Sequence, residues 1–185
     1  MSSLTVQNIQ GSASSSNTIN VASGHKISGA AGSIVAPGQV IQVAQGLYTS
    51  ANSFSGSTFQ NTGCQVNITP TSTSSKILIN SQCQMGYPSQ NYGATLTFLR
   101  GSTNLAPDAG RDGFAHIGDS TGGNQRLYQM LMISMLYLDS PSSTSQITYS
   151  VGISMDGGTG YFNRNRNNDA GSKGTSNIIV QEIAG

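Results

Sequence analysis

Apolar residues along this chain alternate with polar ones over short stretches, and they do not recur at helical spacing. Cys64, Val66 and Ile68 alternate with Gln65, Asn67 and Thr69, a period of two that places one apolar row on one face of a strand. Pro70 lacks an amide donor, Ser and Thr fill 71–75, and Ile77 and Ile79 resume the row. The pattern predicts a hairpin with Ile68 opposite Ile77, Val66 opposite Ile79 and Cys64 opposite Ser81, so that both rows share one buried face. A one-residue slip would break that match. The same periodicity predicts strands near 39–48, 57–61, 64–69, 76–86, 93–100, 126–138, 145–155 and 175–183. Loops are expected at 86–93 and 156–174, with a longer excursion rich in Gly and Asp over 101–125. Antiparallel strands joined by Gly, Pro and Ser turns predict an all-β sandwich, most simply jelly-roll-like.

The segment Leu127–Leu138 differs from the others. Its odd positions are Leu127, Gln129, Leu131, Ile133, Met135 and Tyr137; its even positions are Tyr128, Met130, Met132, Ser134, Leu136 and Leu138. Neither face is polar enough to be given to water. Either the 101–125 excursion covers the second face, or one face lines the core and the other a subunit interface, where unbranched Met adapts to a partner. Met130, Met132 and Leu136 are the candidate interface residues on this strand. Ile178, Ile179 and Val180 have the same two-faced character, which adds Ile178 and Val180 to the candidates.

Residues 1–36 are sparse in apolar positions: Leu4, Val6, Ile9, Ile19, Val21, Ile27, Ile34 and Val35. Leu4/Val6 and Ile19/Val21 read as short strands, yet the segment has too little apolar surface to offset its own ordering entropy. It is therefore expected to be an attachment or oligomerisation arm, with Ala36-Pro37-Gly38 as the boundary to a β-sandwich over 37–185.

Composition sharpens this picture. The chain has 185 residues with 29 Ser, 16 Thr, 15 Asn and 14 Gln against 15 charged residues, and Glu182 is its single Glu. Turn-formers and β-tolerant Thr suit many short strands, whereas long amphipathic helices need the Glu, Lys and Arg that are scarce here. A net charge of +1 and no basic cluster beyond Arg164/Arg166 provide no footprint for nucleic acid. No apolar run approaches a membrane span, and no signal-peptide layout opens the chain, so assembly in a cytoplasm is expected.

Candidate chemistry is thin. His25 has no nearby carboxylate in sequence. Asp108, Asp112, His116 and Asp119 form the only acidic cluster, readable as an ion site or as solvated turns. No phosphate-binding Gly-Lys-Ser/Thr loop, HExxH or G-x-S-x-G pattern is present. Cys64 and Cys83, roughly 7 Å apart in the predicted register, read as two buried thiols rather than a disulfide or metal pair. The expectation is a non-enzyme without cofactors. Tyr161, Phe162, Asn163 and Arg164 make the best recognition candidate, because an aromatic beside Asn and Arg can stack on a sugar ring and bond its hydroxyls. Tyr87 and Tyr92 are secondary candidates. The alternative is that Tyr161 and Phe162 cap the sandwich end.

The stretches "ITPTSTSSKILI" (68–79) and "SNIIVQEIAG" (176–185) resemble a module of structural proteins in tailed bacteriophages, notably marine and cyanobacterial phages. The opening "LTVQNIQGSASSSNTINVASGHKI" (4–27) resembles the N-terminal segment of such proteins. The resemblance implies a β-structured homotrimer in the virion, whose arm attaches to other virion proteins and whose sandwich projects outward. In trimeric jelly-roll heads, which this chain resembles, the terminal strand lies near the axis. A tail-fibre or host-binding appendage, with a host cell-surface glycan as partner, is the expected role. A head fibre or capsid decoration protein is the alternative, and a polysaccharide depolymerase the alternative from another class.

Overall fold

In the computed structural model of the chain, the described residues are 19, 21–28, 34–106, 113–118, 127–168 and 171–185. The chain divides into two units, 1–34 and 35–185. In the first, Ile19, Val21 and Ile27 are exposed on backbone with no strand, and His25 N–H donates to Ala22 O across a turn at Ser23–Gly24. The pair Ile19/Val21 is thus not a strand among the described residues. Leu4, Val6 and Ile9 lie outside them.

The second unit contains eleven strands among its described residues: β1 (Val40–Tyr48), β2 (Asn52–Phe54), β3 (Gln60–Ile68), β4 (Lys76–Gly86), β5 (Gly93–Arg100), β6 (Thr103–Asn104), β7 (Ala115–Gly118), β8 (Met130–Asp139), β9 (Ile147–Met155), β10 (Gly160–Phe162) and β11 (Ser176–Ile183). All pair antiparallel. One sheet runs β1-β11-β4-β8, with β10 and then β2 continuing from the far end of β4. The other runs β3-β9-β5, with β6 and β7 both on the outer edge of β5. Taking the eight main strands in chain order, this is the interleaving of a jelly roll: first, eighth, third and sixth in one sheet, second, seventh, fourth and fifth in the other.

Between the sheets lies a core with fully buried Ile77, Ile79, Met85, Leu96, Phe98, Tyr149, Val151, Ile153, Phe162 and Ile178. The alternation that predicted the strands selects these residues. β3 buries Cys64, Val66 and Ile68, and β4 buries Ile77, Ile79, Ser81, Cys83 and Met85. Those two strands are not, however, a hairpin. β3 pairs with β9, β4 pairs with β8 and β11, and the Thr69–Ser75 link carries the chain from one sheet to the other. Both apolar rows still face one core, from opposite sides. Cys64 and Cys83 are free thiols in that core, as the sequence led us to expect. Burial pushes both up to about 12, which leaves them protonated and unreactive at neutral pH.

The sandwich is sealed along one side and pinned along the other. At the seal, β1 crosses so near β3 that a Cβ on Gly46 would meet Gln65 O at 1.9 Å; only glycine fits there. At the opposite side, Asp139 at the end of β8 accepts two bonds from Arg100 Nη1 at 3.0 and 3.1 Å and one from Tyr149 Oη at 2.6 Å. Phe114 packs between Phe98 and Tyr137, with ring centroids 5.3 and 5.0 Å away.

The β3–β4 corner is held by a buried carboxylate. Glu182 accepts from the Thr71 amide at 2.7 Å, from the Thr71 hydroxyl at 2.8 Å and from Gln42 Nε2. Burial by itself would raise this carboxyl, but the hydrogen bonds from Gln42 and Thr71 outweigh it and hold the group below the usual carboxylate range. A depressed folded value means the group adds stability above about pH 4.5, its ordinary value, and that this is lost as pH falls through the folded one. Glu182→Gln should therefore lower stability at pH 7 by about 1–3 kcal/mol, since its amide group opposes donors with a donor. The gap to wild type should narrow near pH 3. Urea midpoints at the two pH values check this, and an equal gap at both would reject the carboxylate's role.

Candidate functional site

The face of the β1-β11-β4-β8 sheet that points away from the core is the most unusual surface of the sandwich. Its side chains fall in cross-strand rows set by the registers. Val43, Gln181, Leu78 and Leu138 make one row; Gln45, Ile179, Asn80 and Leu136 the next; Leu47, Asn177, Gln82 and Ser134 a third; and Gln84 faces Met132 beyond it. None of these side chains is charged; Lys76, opposite Ile183, stands at the end of the same face. Leu and Ile alternate with amides over four strands, and Leu78, Asn80, Gln82, Asn177, Ile179 and Gln181 line a shallow groove of about 250 Å³. Four strands about 4.8 Å apart, each about 25 Å long, give a face of about 500 Å², in which amides and Ser134 separate the apolar side chains.

β8 supplies the most apolar part of this face. Its odd positions Leu131, Ile133, Met135 and Tyr137 turn to the core, whereas Met132 and Leu136 stand out at 62% and 60% exposure, with Leu138 and Tyr128 also exposed. Among the described residues nothing covers the second face of this strand; residues 107–112 and 119–125 of the excursion that could cover it lie outside them. Met130 is half-buried. Two of the predicted interface residues are corrected by the register. Ile178 and Val180 are fully buried on the core side of β11, because that strand sits between β1 and β4 with its even residues inward. Ile179 takes the outward place. Val43, Leu47 and Leu78 belong to the face as well and were missed, although apolar residues on the outer parity of β1 were a readable signal.

The predicted recognition loop separates into exposed and structural halves. Phe162 is fully buried on β10, 6.0 Å from the Tyr48 ring and 6.4 Å from that of Phe54. Asn163 is fully buried too, at φ 56°, donating from Nδ2 to Tyr48 O and Ser50 O and accepting from the Ser176 hydroxyl at 2.6 Å. Neither can reach a receptor, so both are corrected to scaffold residues: strand alternation turns Phe162 inward and the left-handed backbone turns Asn163 after it. Tyr161 and Arg164 remain partly exposed and stacked, with the guanidinium carbon 4.8 Å from the ring centroid and Arg164 Nη1 donating to Ser53 Oγ at 3.1 Å. Tyr92 is exposed and lies instead against Gly157 and Gly158. Tyr87 packs against the core.

Of the acidic cluster, Asp108, Asp112 and Asp119 lie outside the described residues. His116 is on β7, its Nδ1 3.0 Å from the Thr95 hydroxyl. Among the described residues no three His, Cys, Asp or Glu side chains converge as a metal set, and no helix is long and apolar enough to cross a membrane.

The fold is thus an antiparallel β-sandwich with jelly-roll strand order, and its candidate association surface is a sheet face of mixed apolar and amide side chains with Lys76 at one end. No protein-family model matches the chain, and no curated protein matches it.

Proposed function

We propose that the chain is a non-enzymatic structural component of a bacteriophage virion, a homotrimeric tail-fibre or host-binding appendage protein. The observation that supports this most is the charge-poor face of the β1-β11-β4-β8 sheet, whose central rows carry no charge and whose one cation, Lys76, stands at its end. In a cyclic trimer the contact is heterologous, one patch of each copy meeting a different patch of the next; central rows of Leu, Ile, Met and amides bury no unpaired charge there and exchange apolar area for contact. In a trimer each copy presents the β8 side to one neighbour and the β1 side to the other. The resemblance of the 68–79 and 176–185 stretches to phage structural proteins points the same way, and the arm of residues 1–36 is the element proposed to attach to other virion proteins.

Sedimentation equilibrium at micromolar concentration should give three times the 19.1 kDa chain mass. A monomer would reject the assembly. Immunogold labelling of virions should mark the tail; labelling of the capsid would assign a head fibre or decoration protein, and unlabelled virions would remove the virion reading altogether.

A further inference from the structure

On the opposite sheet, three adjacent strands bring together residues that are far apart in sequence. Thr95 on β5 is flanked across the sheet by Ser154 on β9 and His116 on β7. All three point away from the core, since the chain neighbours of Thr95, Ala94 and Leu96, are fully buried in it. One step along the sheet stands Asp156. Its amide donates to Gly93 O at 3.1 Å, and its Oδ1 accepts from the Gly93 amide at 2.5 Å. These groups, with Gly113, Phe114 and Ala115, line a pocket of about 390 Å³, within the range of small-molecule sites.

Gly93 is what lets the polar groups meet. A Cβ there would lie 2.4 Å from His116 Cε1, 2.7 Å from His116 Nε2 and 3.0 Å from Asp156 Oδ2. The imidazole and the free carboxylate oxygen therefore converge above a bare backbone, and any larger residue would fill the space between them. Their remaining atoms are already committed. Asp156 Oδ1 holds the Gly93 amide, which leaves Oδ2 to accept. His116 Nδ1 pairs with the Thr95 hydroxyl. With that hydroxyl donating, the ring proton sits on Nε2 and faces the pocket as a donor.

A donor and an anionic acceptor aimed at one place fit a group that both accepts and donates. A hydroxyl is the smallest such group a ligand can present. The Asp156 carboxylate repels anions, and the polar lining disfavours a purely apolar ligand, whereas the exposed ring of Tyr92, outside the lining on the glycines that follow Asp156, is a face for the C–H side of a sugar ring. We propose that the pocket formed by Thr95, His116, Ser154 and Asp156 over Gly93 binds a neutral polyhydroxylated ligand, a sugar unit of a saccharide. The site is on the sheet opposite the association face, so failure of either leaves the other standing.

The test is titration of the ¹⁵N-labelled full chain with glucose, galactose, mannose and N-acetylglucosamine, each to about 50 mM, a range suited to single-sugar contacts of millimolar strength. At least one sugar should give saturable amide shifts centred on Gly93, Thr95, His116 and Asp156. Asp156→Asn keeps an acceptor for the Gly93 amide but loses the charge, and should weaken binding at least tenfold with the melting temperature little changed. Should that variant not fold, His116→Gln carries the same expectation. Absence of saturable shifts at these residues with all four sugars would overturn the proposal, as would shifts confined to the Tyr161–Arg164 turn. Chelator-reversible shifts of His116 with zinc chloride, without any response to the sugars, would reassign the pocket to a cation and equally overturn it.

Discussion

Met132→Asp combined with Leu136→Asp should convert the proposed trimer to a folded monomer. Both side chains are more than half exposed on the outer face of β8, and their neighbours across β4 are the uncharged Gln84 and Asn80. In the isolated chain the new carboxylates therefore stay in water, and the cost to folding should be within about 0.5 kcal/mol per site. In the proposed trimer each would be buried in the interface, which costs several kcal/mol per unpaired carboxylate. Three copies multiply that cost, so dissociation should be complete at micromolar concentration. Sedimentation equilibrium and the near-UV spectrum read the two parts separately. A double variant that remains trimeric would move the interface off this face.

Phe162→Ala should cost about 3–5 kcal/mol of folding stability, the range for deleting a buried Phe. The ring fills the space among Tyr48 at the end of β1, Phe54 on β2 and the end of β4, and its neighbour Asn163 ties β10 to the Tyr48 and Ser50 carbonyls and to Ser176 of β11. Removing the ring would open a cavity at the junction of five strands, and a domain of ordinary stability has little more than that in hand. Tyr161→Ala, one residue away, should cost under about 1 kcal/mol, because it loses a partly exposed stacking contact with Arg164. Urea titration of both variants measures the contrast. Similar small losses would show that the β10 end is not core, and would return Phe162 to the set of surface candidates.

The strands themselves were legible because their alternation is strict. β4 and β5 fall on the predicted 76–86 and 93–100, and β11 begins one residue late. The short β2, β6 and β10, of two or three residues, are too brief to show a period, and β7 lies inside the expected excursion. The pairing of β3 with β4 misled for a physical reason: a hairpin and a sheet-to-sheet crossing both turn alternate residues toward the same core, so periodicity alone cannot separate them. Only Glu182, buried against Thr71, marks the corner. The site was less legible than the fold. Phe162 and Asn163 carry the composition of a recognition loop but are turned inward. The pocket of Thr95, His116, Ser154 and Asp156 exists only once three registers are known, and none of its residues is distinctive alone.

In its sheet β1 touches a single strand, β11, and every other strand of the sandwich lies between those two along the chain. A ribosome therefore releases β1 long before its partner exists, and the nascent chain must carry Val43, Leu47 and the backbone edge of β1 unpaired for the whole of that interval. Pairings this distant also make folding slow, on the millisecond-to-second scale of sandwiches. For this protein the hazardous period is synthesis: with a net charge of only +1 to repel its neighbours, the growing chain has mainly its abundant Ser, Thr and Asn to keep it apart from them until β11 slides in between β1 and β4.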